Sequence, residues 1–131
     1  MDIKEFINRA PKAELHLHIE GTLEPEHMFA LAKRNSIKIP FTDVEEVKAA
    51  YNFDNLESFL KIFYQGSNVL VKEQDFIDLT WAYALKCKEN NVVHTEIFFD
   101  PQSHVNRGVN FNLVINGIYN ALEKANKEFG L

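Results

Sequence analysis

Two segments of this chain alternate with a period of two, and only helical patterns lie between them. Ala13 to Ile19 sets Glu14, His16 and His18 against Leu15, Leu17 and Ile19. Val92 to Phe99 sets Val93, Thr95, Ile97 and Phe99 against His94, Glu96 and Phe98, with Asp100 continuing the second set. Side chains two apart on a strand point the same way, so each segment reads as a β-strand. Strands joined through long helical crossovers pair in parallel, whereas a tight turn returns an antiparallel partner. The order helix, strand, several helices, strand, helix therefore predicts a helix-rich α/β chain with two parallel strands. Two strands alone do not make a stable sheet. The chain is expected to be incomplete, or to find its missing strands in another chain.

The helical segments carry their own punctuation. Residues 2–9 form a short opening helix that Pro11 ends, because the residue before a proline avoids helical geometry. Pro25, flanked by Glu24 and Glu26, suits the first turn of a helix that turns Met28, Leu31 and Ala32 inward and stops near Asn35. Thr42 and Glu45 read as a capping box for a helix over 43–51. Asn55 caps the next, whose stripe is Leu56, Phe59, Leu60, Phe63, Ser67 and Leu70. A helix over 73–89 is expected to bury Ile77, Trp81, Ala84 and Leu85 before Asn90 and Asn91 end it. Asp100-Pro101 closes the second strand, and a polar loop runs to Asn110. A helix over 112–129 then aligns Val114, Gly117, Ile118, Ala121, Leu122, Ala125 and Phe129, with Gly130 as its stop.

Composition narrows the function classes. The 131 residues, 46% hydrophobic and 25% charged, suit one soluble domain able to bury a core. Fourteen Lys and Arg against 19 Asp and Glu leave a net charge of −5. That argues against a nucleic-acid surface, which needs a basic stripe to displace counterions. No apolar run approaches the roughly 20 residues of a membrane span. The opening MDIKEFINRA lacks the apolar core of a secretory signal. With a single cysteine, Cys87, no internal disulfide can form, and a cytoplasmic setting is expected.

The chemistry concentrates on one strand. A parallel sheet covered by helices is normally apolar on both faces. Here Glu14, His16, His18 and Glu20 recur at even positions. Buried ionisable groups are costly unless paired or bound to a metal. This face is therefore expected to line a functional pocket. His16 and His18 stand at i and i+2, so both imidazoles can reach one ion, and zinc accepts imidazole nitrogen at about 2.0–2.1 Å. The plainer alternative is a strand whose histidines are hydrogen-bonded or face solvent. The neighbouring Glu14, Glu20 and Gly21 favour the metal. A catalytic zinc needs at least three protein ligands and an open position, and this strand offers two. Among the other histidines, His94 is expected to be a hydrogen-bonded interior residue, His104 a surface residue of the polar loop, and His27 solvated. No nucleophile motif, phosphate loop or Cys-x-x-Cys is present. The aromatic stripe of Phe59 and Phe63, with Tyr64 beside it, reads as core, with the wall of an apolar pocket as its alternative.

The run from Pro11 to Leu23, PKAELHLHIEGTL, resembles the opening strand of the adenosine/adenine deaminase family. The run from Val92 to His104, VVHTEIFFDPQSH, is similar to that family's second strand and following loop. His-x-His alone is shared with the wider metal-dependent amidohydrolases, whereas the Pro-Lys-x-Glu-Leu-His-x-His frame with a following acid-Gly is much narrower. The resemblance implies the N-terminal portion of a TIM (β/α)8 barrel. Residues 1–131 would be a single partial domain, the first two β/α units, with a helical insertion at about 25–70. It implies zinc at the C-terminal ends of the strands, with His16 and His18 as metal ligands and Glu20 as a substrate-binding residue. The third histidine, the aspartates and the proton-shuttling glutamate of such enzymes lie on later strands, so no catalytic residue falls within this chain. The activity implied for the intact protein is zinc-dependent hydrolytic deamination of a purine, with the chain inactive alone. Glu20 stands where adenosine deaminases carry aspartate. Its extra methylene reaches into space a ribose would fill, which favours adenine, converted to hypoxanthine. Thr22 to Glu26 and the second strand also resemble the adenine branch. The alternatives are an adenosine deaminase forming inosine, another amidohydrolase acting on a different amide or ring, and a non-catalytic, self-associating barrel fragment. The implied partners are a small-molecule purine and either a second copy of the chain or a missing C-terminal portion, with no nucleic acid and no membrane.

Overall fold

Side-chain caps fix where several helices begin in the computed structural model, which describes residues 2–131. Asp2 accepts a hydrogen bond from the Glu5 amide and opens α1 (Ile3–Arg9). Pro25 occupies the first turn of α2 (Pro25–Arg34), where its missing N–H costs nothing. The expected capping box at Thr42 and Glu45 is displaced by one residue. Asp43 caps α3 (Val44–Ala50) by accepting from the Glu46 amide, and the Glu46 carboxylate returns to the Thr42 amide at 2.7 Å. Aspartate competes well for that position, because its carboxylate also meets the positive helix end. Asn55 and Ser58 cap α4 (Leu56–Ser67) reciprocally. The long α5 (Glu73–Glu89) and α7 (Phe111–Phe129) follow the expected spans. Gly130 ends α7 in the left-handed region at φ 76°.

The strands are β1 (Lys12–His18) and β2 (Val92–Phe98), paired in parallel. Glu14 pairs with Thr95 and Leu17 with Ile97, so β1 uses one residue more than β2 across that interval. The extra residue is a β-bulge, and within it His16 takes φ 60°. Bulges re-aim side chains. This one divides the four ionisable groups expected on one face. Glu14 turns to the helix side, where the Tyr83 hydroxyl donates to its Oε2 at 2.6 Å and lies 2.7 Å from Thr95 Oγ1. Leu15, expected inward, is 62% exposed. His16 and His18 keep to the open face. Glu20 lies beyond the strand, in a 3-10 turn (Ile19–Thr22).

The core sits between the sheet and the α5–α7 pair and extends under α2 and α3, through Ile19, Met28, Val47, Phe76, Leu79 and Val114. The buried face of α5 differs from the expected one. Phe76, Leu79, Thr80, Tyr83 and Cys87 are buried beside Ala84, whereas Leu85 is exposed and Ile77 and Trp81 are only half-buried. Asp75 sets this rotation. Its fully buried carboxylate accepts from the amides of Val71 and Lys72, from Asn35 and from Arg34. Trp81 instead lies under the Lys124 ammonium, 3.8 Å from its ring centroid. On α4 the buried face is Ile62, Gly66 and Ser67, and Leu56 is exposed. The polar stretch after β2 contains a short helix, α6 (Pro101–Val105). Among the described residues no helix is long and apolar enough to cross a membrane.

Candidate active site

The C-terminal end of β1 presents two imidazoles to one open cavity. The rings of His16 and His18 are 5.4 Å apart between centroids. Both stack against Phe98 of β2, at 4.5 and 5.8 Å. Both side chains are exposed, and neither has a hydrogen-bond partner among the described residues. The cavity, about 510 Å³, is lined by these two histidines, Gly21, Phe99, Asp100 and the aromatic edge of α4. Phe59 and Phe63 are half-buried and Tyr64 is exposed, so the stripe on α4 serves as a pocket wall as well as packing. Its rings contact one another at 6.0 and 5.4 Å between centroids. Flat apolar walls with a few convergent polar groups suit a small planar heterocycle. A cavity of similar size between β2 and α7 is lined chiefly by aliphatic side chains and includes neither His16 nor His18.

Two unpartnered imidazoles on one face have the donor chemistry zinc prefers. They are half of a tetrahedral set. Among the described residues no group of three His, Cys, Asp or Glu could hold a metal ion. The remaining ligands would have to come from outside this chain.

Glu20 is fully buried at the side chain, directly beyond the strand. Its Oε1 accepts from the Asp100 amide at 2.8 Å and lies 2.8 Å from His104 Nε2. Its Oε2 has no partner among the described residues. Glu20 lines a hollow of about 20 Å³ whose wall includes Gly21, Phe59 and Phe63, three residues that also line the main cavity.

His104 is the largest departure from expectation. Expected at the surface, it is completely buried on α6, with Phe76 packed edge-on against its ring at 5.0 Å. Its Nδ1 lies 2.9 Å from Arg107 Nη2. A guanidinium can only donate, so Nδ1 accepts and Nε2 carries the proton offered to Glu20. Burial pushes the Arg107 pKa down, but it starts so high that the side chain remains a cation. The signal in the sequence was Asp100-Pro101, an acid followed by proline, which opens helices as readily as it ends strands. His94 also departs from expectation. It stands on the open face of the sheet, 3.7 Å from the Glu96 carboxylate and well exposed. His27, expected to be solvated, is half-buried, and burial lowers its pKa. On the helix side, burial raises the Tyr83 hydroxyl, and Cys87 and Glu14 hold it further up. Burial likewise raises the Cys87 thiol.

Comparison with known proteins bears on this geometry. The family model for adenosine deaminase matches residues 11–131. The chain is 61% identical over 127 residues to an adenine deaminase of Psychrobacter cryohalolentis, covering 97% of this chain and 38% of that protein. It is 60% identical over 129 residues to an adenine deaminase of Wolinella succinogenes, covering 98% and 39%. The crystal structure of an adenine deaminase from Arthrobacter aurescens superposes with a TM-score of 0.88 at 50% identity, over 92% of this chain and 37% of that one. An amidohydrolase from Burkholderia ambifaria, solved with bound zinc, shares the fold at a TM-score of 0.84 and 22% identity, over 100% and 37%. The chain thus spans under two fifths of the length of these relatives.

Proposed function

The chain belongs to the adenosine deaminase family, and from that premise we propose that it forms the first two β/α units of a zinc-dependent adenine deaminase. The helices over about 25–70 are then an insertion between β1 and its crossover helix α5. The remaining strands and ligands come from residues outside these 131, in the same polypeptide or in another. His16 and His18 would hold the metal, which would supply Lewis-acid activation of a water. The residues of this chain bind and orient the base. Phe59, Phe63 and Tyr64 form the wall along which the ring lies, and Glu20 contacts the substrate where a ribose would otherwise extend. The product is hypoxanthine, with ammonia released. A cytoplasmic setting fits the single buried Cys87.

The observation that carries this reading is the pair of exposed, unpartnered imidazoles opening onto an aromatic cavity in a chain about three fifths identical to adenine deaminases. The test is an assay of the intact protein on adenine and adenosine, before and after treatment with a zinc chelator. Turnover of adenine, lost on chelation and restored by zinc, is expected. Preference for adenosine, or turnover indifferent to chelation, would sink the assignment.

A further inference from the structure

Nothing in the proposed chemistry employs His104, yet it is completely buried and both of its ring nitrogens are engaged. The contacts run in one direction. Arg107 is anchored by the carbonyls of Ser67, Asn68, Leu70 and Ser103. From that anchorage its Nη2 donates to His104 Nδ1, which fixes the tautomer. His104 Nε2–H then donates to Glu20 Oε1, and the Asp100 amide donates to the same oxygen. Both donors hold one oxygen and leave the other bare. A buried carboxylate oxygen without a partner is unusual, and such groups call for an explanation. A second donor on Oε2 would have quenched the group. Its absence leaves Glu20 one acceptor, beside the hollow that adjoins the main cavity.

We propose that His104, braced by Arg107, is a positioning residue that clamps Glu20 through Oε1 so that Oε2 accepts a hydrogen bond from a ring N–H of the substrate base. This rests on the reading of Glu20 as a substrate contact. Adenine carries an N–H at the ring nitrogen to which adenosine attaches its sugar. A carboxylate oxygen aimed at that N–H recognises the free base, and one free to swing away discriminates less.

The test uses the intact protein with His104→Phe, which fills the space without a donor, and His104→Gln, whose amide can still donate to Oε1. Steady-state kinetics on adenine and adenosine are measured together with thermal midpoint and zinc content. For His104→Phe the expected result is a fall of about tenfold in kcat/KM on adenine, carried mainly by KM. Turnover of adenosine should change less than about threefold, and zinc content should hold. His104→Gln should recover most of the loss. If His104→Phe does not fold, Arg107→Met removes the brace from the surface side, and an adenine KM raised by about threefold is expected. An active wild type whose variants lose both substrates in parallel, or lose neither, overturns the clamp alone. Equal losses in His104→Phe and His104→Gln do the same. A wild type inactive on adenine removes the underlying reading and the clamp with it.

Discussion

The Asp75 carboxylate is fully buried and accepts hydrogen bonds from two backbone amides, Asn35 and Arg34, tying α2 and the loop before α5 to the first turn of α5. Burial alone would raise its pKa, but the amides of Lys72 and Val71, with Arg34 and Asn35, outweigh it and hold the group below the usual carboxylate range. A depressed folded pKa contributes stability that is complete above the unfolded value near pH 4 and is lost as pH falls below it. Wild-type protein should therefore lose more stability than Asp75→Asn between about pH 5 and pH 3, as measured by urea midpoints. Asp75→Ala should cost about 2–3 kcal/mol at neutral pH, since it orphans buried donors, with the half-open Arg34 limiting the loss. His18 gives the opposite pattern. Its ring is exposed and unpaired, so His18→Ala should leave stability within about 0.5 kcal/mol. In the intact protein it should weaken zinc binding by at least about 100-fold, read by competition with a chelator. An unaltered zinc affinity would remove His18 from the metal site.

Packing between helices is decided at Gly117 on α7. A Cβ there would sit 2.7 Å from the Glu73 carbonyl oxygen and 2.7 Å from Phe76 Cβ, both on α5. Gly117→Ala gains about 0.5–1 kcal/mol of helix propensity. Against that, overpacking against backbone costs about 1–3 kcal/mol. A net loss of about 1–2 kcal/mol is expected in denaturant titration. A stabilised variant would mean that the two helices slide apart easily. Such elements are legible in the sequence when their signals are local. The stripe on α7 and the Asn55 cap each lie within a few residues, and each matches the structure. The bulge in β1 left no signal, because its residue at positive φ is a histidine rather than a glycine and the alternation runs on unbroken through it. The five residues of α6 are too few to show a period. The Glu20–His104 contact joins positions 84 apart, so only the completed fold brings the two together.

Across the whole molecule, among the described residues, the sheet has two strands and one pairing, which leaves an outer edge on each strand. Leu15, Val93 and Phe98 are exposed on these strands, and Ile3, Phe6 and Ile7 are exposed on α1. Open edges beside apolar side chains template further strand pairing. The same surface is what additional strands would cover, and the relatives are more than twice as long as the part this chain matches. The 131 residues by themselves are therefore expected to self-associate with rising concentration. They should also show no deaminase turnover, since among the described residues only two imidazoles line the cavity and a catalytic zinc site needs three protein ligands. Light scattering across a concentration series, with adenine turnover followed in the same samples, checks both halves. A monomer at every concentration would show that the exposed strands are tolerated by water. Turnover by that monomer would show that the metal site is complete within these residues.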